Sequence, residues 1–105
     1  MIAREWKCCC PKRHAQGFLD YLDQTGVKDT SATPGCLGGQ VMTRELGGWV
    51  EIVLVTYWID YESIKSYAGE DIHVARLYPE DAKYELEPDR HVTHYEVTSA
   101  MFPER

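Results

Sequence analysis

The sequence predicts an α+β domain: a four-stranded antiparallel sheet with two helices on one face. Three observations carry this. Val50 to Trp58 is an apolar run of strand length, interrupted only by Glu51 and Thr56. Ala15, Phe18, Leu19 and Leu22 recur at i, i+3, i+4 and i+7, the stripe of an amphipathic helix. Gly47-Gly48 joins two strand-like runs, and a Gly pair suits the positive φ values of a tight hairpin.

The elements follow in order. Ile2 to Cys8 alternates as a strand, with Ile2, Trp6 and Cys8 on one side. Arg4 shares that side, which marks a polar pocket in an otherwise apolar face. Pro11 sits where a helix begins, a position that tolerates its missing N–H. Gly26 followed by Val27 reads as a left-handed cap ending that helix. Thr30 to Gly35 is a polar loop closed by the Pro34-Gly35 turn. Cys36 to Leu46 is the second strand and Val50 to Trp58 the third. Asp60 is a good N-cap for a short second helix whose buried side carries Tyr61, Ile64 and Tyr67 or Ala68. Gly69 breaks it, and Asp71 to Leu77 is expected to add another helical turn or two. Pro79 can start a final turn, and Pro88 marks the loop before the last strand, His91 to Val97. This βαββαβ order is the split βαβ pattern of ferredoxin-like folds, with both helices on one sheet face. Residues 1–105 read as one domain without repeat or linker.

Charge and composition narrow the function. The formal net charge of −6 and the lack of any Lys/Arg run longer than Lys12-Arg13 argue against nucleic acid or an anionic membrane as partner. The longest purely aliphatic run, Ile52 to Val55, is far too short to span a bilayer. Met1 to Trp6 lacks signal-peptide character, so a cytoplasmic location is expected.

Cys8, Cys9 and Cys10 are consecutive and Cys36 stands apart. Adjacent strand residues point to opposite faces, so the triplet lacks the spacing of a tetrahedral metal site, and no metal is expected. Free thiols are the expected state in a reducing compartment, with a bridge from Cys36 to the triplet as the alternative should their strands be neighbours.

A sheet with helices on one face leaves the other in water, yet the third strand is apolar on both parities: Val50, Ile52 and Leu54 on one, Val53, Val55 and Tyr57 on the other. A second copy packed sheet to sheet is the simplest cover and buries roughly 800 Å² per partner. A homodimer is therefore expected.

The chain resembles the antibiotic biosynthesis monooxygenase family, within the dimeric α+β barrel proteins. The resemblance rests on Met1-Ile-Ala-Arg-Glu-Trp6, Ala32-Thr-Pro-Gly35, Thr56-Tyr-Trp58, Ala68-Gly-Glu-Asp-Ile72, Tyr78-Pro-Glu-Asp81 and His94-Tyr-Glu-Val97, and covers nearly the whole chain. It implies an oxygenase that needs no metal, flavin or other cofactor, although many small members have no assigned activity. The heme-degrading branch uses an Asn on the first strand, a Trp ending the third and a His late in the second helix. Trp58 matches that Trp. The sequence has no Asn, and the His would fall near Leu77, a helical turn beyond His73, so heme degradation is not expected. The quinone-forming branch also uses Asn, Trp and Arg, and only Trp58 carries over.

Cofactor-free oxygenation needs a phenol or enol that loses a proton and passes an electron to O₂. The protein supplies a base, donors for the anion and a dry pocket. His94 is the first candidate base, with Glu96 on the same strand face to orient it, and His73 the second. His14 and His91 read as surface residues. Trp58, Tyr57, Tyr67 and Tyr78 are candidates for an aromatic wall, and Arg4 and Arg76 for holding an anionic oxygen. Each aromatic alone is as readily a core residue. Glu70-Asp71 and Glu80-Asp81 read as helix-start charges. Two functions are carried forward: a cofactor-independent monooxygenase acting with O₂ on a small aromatic or polyketide-like substrate, and a non-catalytic small-ligand-binding or stress-related barrel protein. An isomerase or lyase on the same fold is a third.

Overall fold

Strand β1 (Ile2–Pro11) lies at the middle of an antiparallel sheet in the computed structural model, which describes residues 1–102. On one side it pairs with β3 (Trp49–Trp58), from Ile2 opposite Trp58 to Pro11 opposite Trp49. The edge beyond β3 is β2 (Cys36–Leu46), joined to it through Gly47, whose φ of +63° is the left-handed value the hairpin requires. On the other side of β1 the chain arrives in two pieces. β4 (Glu87–Pro88) pairs with Cys8 and Cys9, and β5 (Thr93–Glu96) with Ile2 to Glu5. The expected fourth strand is therefore interrupted, and Pro88 belongs to it rather than to a preceding loop. Between the pieces Asp89 is held by β1 at both ends, its N–H on the Lys7 carbonyl and its own carbonyl on the Trp6 indole.

Helix α1 (Lys12–Leu22) follows β1 directly, with Pro11 as the extended residue before it rather than its first turn. It does not stop at Gly26. A π-helical turn (Asp23–Val27) carries it into α2 (Lys28–Ala32), and Gly26 keeps a right-handed conformation. The glycine serves packing: a Cβ there would stand 3.2 Å from Leu22 and 3.7 Å from Leu54, where the helix lies closest to the sheet. Thr30, expected in a loop, is buried and bonds back to the Gly26 carbonyl at 2.7 Å. Asp60 caps α3 (Tyr61–Ala68) by accepting the Ser63 N–H, and Gly69 at φ +93° ends it. Ile64 and Tyr67 face inward as expected, whereas Tyr61 is 41% exposed.

Asp71 to Leu77 is not helical. Its backbone is spent on neighbours: Ala75 N–H reaches Arg90, Val92 N–H reaches His73, and the Ile72 and Val74 carbonyls accept from Arg4. A helix would need those groups for itself. A short 3-10 turn (Asp81–Tyr84) precedes β4.

The helices cover one sheet face. There, Trp6, Cys8, Cys10, Ile52 and Leu54 pack against Phe18 and Leu22 of α1, and Ile2 and Trp58 pack against Ile64 and Tyr67 of α3. The open face carries Val53, Val55, Tyr57 and Met42, with Phe102 against the Tyr57 ring. Cys9 points there while Cys8 and Cys10 are buried opposite. All four thiols are free, and Cys36 pairs in register with Trp58, far along β3 from the triplet's partners. Among the described residues no helix is long and apolar enough to cross a membrane.

Candidate functional site

Between the two cores the helix-side face of the sheet turns polar. Arg4 and Thr56 are opposite one another on β1 and β3, and His94 on β5 stands opposite Arg4 on the other side. Thr56 takes the Trp58 indole N–H at 2.8 Å, which ties that ring into the core. Arg4 is only 5% exposed, and burial lowers its affinity for its proton. One Nη donates to the Ile72 and Val74 carbonyls, each at 3.3 Å. Its Nε–H has no partner. A buried guanidinium donor left unpaired costs free energy, so the side chain is held ready for an acceptor.

Arg4 is one of the residues lining an inner cavity of about 30 Å³ walled by Trp6, Phe18, Leu22, Leu54 and Val92, with Tyr67, Arg76 and Tyr78 at its polar end. This is room for about two waters or the edge of a larger molecule. A wider groove of about 570 Å³ runs between the π turn, α2 and β2, and shares Thr30, Leu54 and Thr56 with the cavity.

The polar end is a chain of contacts. Tyr78 Oη donates to Asp29 Oδ2 on α2 at 2.6 Å, and Tyr67 Oη stands 3.4 Å from Tyr78 Oη. Arg76 lies over both rings, 4.8 Å from the Tyr67 centroid and 5.2 Å from that of Tyr78, donates to the Tyr67 carbonyl, and pairs with Asp29 at 3.5 Å. Burial raises the ionisation range of both tyrosines, Tyr78 further because its hydroxyl is given to Asp29, so both are neutral hydroxyls near pH 7. Asp81 receives the Tyr78 N–H at 2.9 Å, and burial raises its carboxyl.

Five of the residues singled out in the sequence thus sit together: Arg4, Tyr67, Arg76 and Tyr78 at the cavity, with Trp58 behind, its ring 6.2 Å from Tyr67 but fully buried and not in the cavity wall. Tyr57 lies on the opposite face of the sheet, because its position in β3 has the other parity. His94 and His73 do meet, ring centroids 5.3 Å apart, but on the far side of Arg4, and neither lines the cavity or the groove. Both His94 nitrogens are buried without a partner, so the expected support from Glu96 is not made. Burial, then Arg4, then His73 lower the His94 value to about 4. His14 bonds Glu85 on the surface and His91 is exposed.

Asp29 and its relation to Tyr78 escaped the sequence reading. Their 49-residue separation leaves no local signal, and the misplaced end of α1 put Asp29 at the edge of a loop. Among the described residues no imidazole lines the cavity or the groove, while the Cys36 thiol does line the groove. Among the described residues no cluster of three metal-ligating side chains occurs.

No model of a known protein family matches the chain, and no curated protein sequence matches it. Solved structures do. One is a protein of Deinococcus radiodurans provisionally assigned as an antibiotic biosynthesis monooxygenase, at TM-score 0.65 and 17% identity over 100% of both chains. Another, from Bacillus cereus and provisionally assigned likewise, aligns at TM-score 0.64 and 16% identity over 97% of this chain and 98% of that one. A substituted MhuD with two manganese protoporphyrin IX bound per active site aligns at TM-score 0.62 and 18% identity, over 98% of this chain and 100% of that one. A dimeric ferredoxin-like protein from an uncultured marine organism aligns at TM-score 0.56 and 13% identity over 98% and 100%. These likenesses establish the fold: a ferredoxin-like sheet and helix layer of the kind found in antibiotic biosynthesis monooxygenase-like structures.

Proposed function

We propose that this chain is a cofactor-independent monooxygenase that delivers O₂ to a small aromatic or polyketide-like substrate bearing a phenolic or enolic hydroxyl. One observation carries the reading: Arg4, buried and with its Nε–H unpartnered, is among the residues lining a largely apolar cavity. A deprotonated hydroxyl is the acceptor that such a donor lacks, and a dry site strengthens the contact. The rings of the substrate occupy the groove and only its hydroxyl edge enters the cavity. Loss of the proton makes the ring electron-rich. An electron passes to O₂, a C–O bond forms, and the hydroperoxide loses water. Anthrone, reacting through its enol tautomer, and O₂ give anthraquinone and water, which balances.

In this reading Arg4, Tyr67 and Tyr78 bind substrate and Trp58 backs the Tyr67 ring. His94 and His73, the bases expected from sequence, pair with each other away from the cavity and the groove. An imidazole with its value near 4 and no place in the cavity wall is poorly suited to take the proton. The same suppressed basicity favours the second reading, a ligand-binding protein without turnover. Oxygen uptake with anthrone separates them: uptake abolished by Arg4→Met supports the enzyme, whereas 2-naphthol binding with no uptake for any substrate of this class supports the binder.

We also infer a homodimer through the open sheet face, where Val53, Tyr57 and Met42 form an apolar surface around the already buried Val55. Light scattering is expected to give twice the 12.1 kDa chain mass. A purely monomeric species would sink this.

A further inference from the structure

The polarity of the contacts around Tyr67 points to a route for the proton. A carboxylate only accepts, so in the 2.6 Å contact the Tyr78 hydroxyl is the donor and Asp29 the acceptor. With its proton committed, the Tyr78 oxygen is left to accept from Tyr67, 3.4 Å away. The Tyr67 proton then points outward to Tyr78, and its oxygen is left as an acceptor. That is complementary to Arg4, a cation with an unpartnered Nε–H whose side chain belongs to the same cavity lining. The two together suit one group: an oxygen that gives a proton to Tyr67 and, once ionised, takes a hydrogen bond from Arg4. A carboxylate ligand meets the second demand but not the first. The long Tyr67–Tyr78 contact is of the kind that tightens when substrate engages.

We propose that the substrate's hydroxyl proton leaves through a relay from Tyr67 to Tyr78 to Asp29, with Asp29 as the terminal acceptor; this rests on the monooxygenase reading above. The step balances. The substrate O–H bond breaks and its proton goes to the Tyr67 oxygen, the Tyr67 proton goes to Tyr78, and the Tyr78 proton goes to Asp29 Oδ2. Both tyrosines end as they began, and no oxidant is consumed until the phenolate meets O₂. Asp29 lies partly exposed on α2, so water can clear it for the next turnover. Arg76, over both rings and against Asp29, keeps the three groups aligned. Asp29 is a positioning residue in that it touches Tyr78 rather than substrate.

The test is oxygen uptake with anthrone in wild type, Asp29→Asn, Asp29→Ala and Tyr78→Phe, alongside 2-naphthol binding by fluorescence. In Asp29→Asn, kcat is expected to fall about 100-fold while KM and naphthol Kd stay within about threefold, and in Tyr78→Phe kcat is expected to fall at least as far. Added formate restores turnover at least about tenfold in Asp29→Ala and not in Tyr78→Phe, because only the former lacks the end of the chain. Unchanged kcat in both Asp29→Asn and Tyr78→Phe overturns the relay and leaves the oxygenase reading standing. So does a loss of kcat matched by an equal loss of naphthol binding and untouched by formate, which is the mark of a structural Asp29–Arg76 pair. A wild-type protein that neither binds naphthol nor consumes oxygen overturns both.

Discussion

Arg4 and His94 stand opposite each other on β1 and β5, and both imidazole nitrogens of His94 are buried without a hydrogen-bond partner. Burial first, and the cation on the neighbouring strand second, keep that ring neutral, which gives the fold a pH dependence.

Burial, Arg4 and His73 lower His94 to about 4 from an ordinary 6.5. The unfolded chain therefore takes up the proton first as pH falls. Stability attributable to the neutral ring is full above pH 6.5, is lost between 6.5 and about 4, and changes no further below that. The expected loss is on the order of 1 kcal/mol, discounted because the ring is partly open to solvent. Urea midpoints at about pH 7 and about pH 4.5 check this: His94→Gln should flatten the slope relative to wild type. An identical slope in both proteins removes His94 as its cause.

Arg4 is held for function more than for stability. Burial opposes its charge and its Nε–H is unpaired, while its stem packs in an apolar wall. Arg4→Met is expected to leave unfolding stability within about 1 kcal/mol of wild type, because desolvation relief offsets the bonds lost to Ile72 and Val74. Binding of 2-naphthol should weaken at least about tenfold, as expected for loss of a charge-assisted bond. A large loss of stability with binding intact would reverse the assignment.

Gly35 anchors the turn that leads into β2. Its φ is +95°, and a Cβ there would stand 2.0 Å from Ser63 Oγ and 2.4 Å from Ser63 Cβ at the start of α3. Gly35→Ala combines backbone strain with a clash and should cost about 3 kcal/mol, read as a lowered denaturant midpoint at unchanged m-value. Gly35→Ala with Ser63→Gly should recover part of that loss, since one of the two causes is removed.

The cysteines divide by strand parity. Cys8 and Cys10 are 2% and 0% exposed, and burial raises the thiol range of both. Cys9 and Cys36 are partly exposed. A chromogenic disulfide reagent should modify Cys36 first and Cys9 more slowly, since burial and then Glu51 hold the Cys9 thiol up. Cys8 and Cys10 should react only on unfolding. Mass mapping of the labelled peptides decides it, and early labelling of Cys10 would mean that β1 opens readily.

Much of the fold was legible because its signals are local. Cys36–Leu46 begins and ends where its flanking turns predict, Asp60 caps α3, and Gly69 ends it. The failures share a different cause. Gly26 carries the sequence mark of a helix end, yet it is a contact point with Leu54 inside a continuing helix. Asp71 to Leu77 has helix-compatible residues, but Arg4 and the Arg90–Val92 segment claim its backbone groups. In each case a partner distant in sequence overruled a local preference.

The candidate site divides the same way. The sequence by itself determined that β1 carries an arginine on its buried face and that β3 is apolar on both sides, because period-two alternation follows from strand geometry alone. The same alternation sends Tyr57 and Trp58 to opposite faces, which a single aromatic wall holding both does not allow. Only the tertiary structure decided which aromatics enclose the cavity, that His94 sits behind Arg4, and that Asp29 ends a line of hydroxyls. Those relations join residues on five separate elements and loops. Their distances are set by how helices seat on a sheet, a packing outcome that no window of sequence contains.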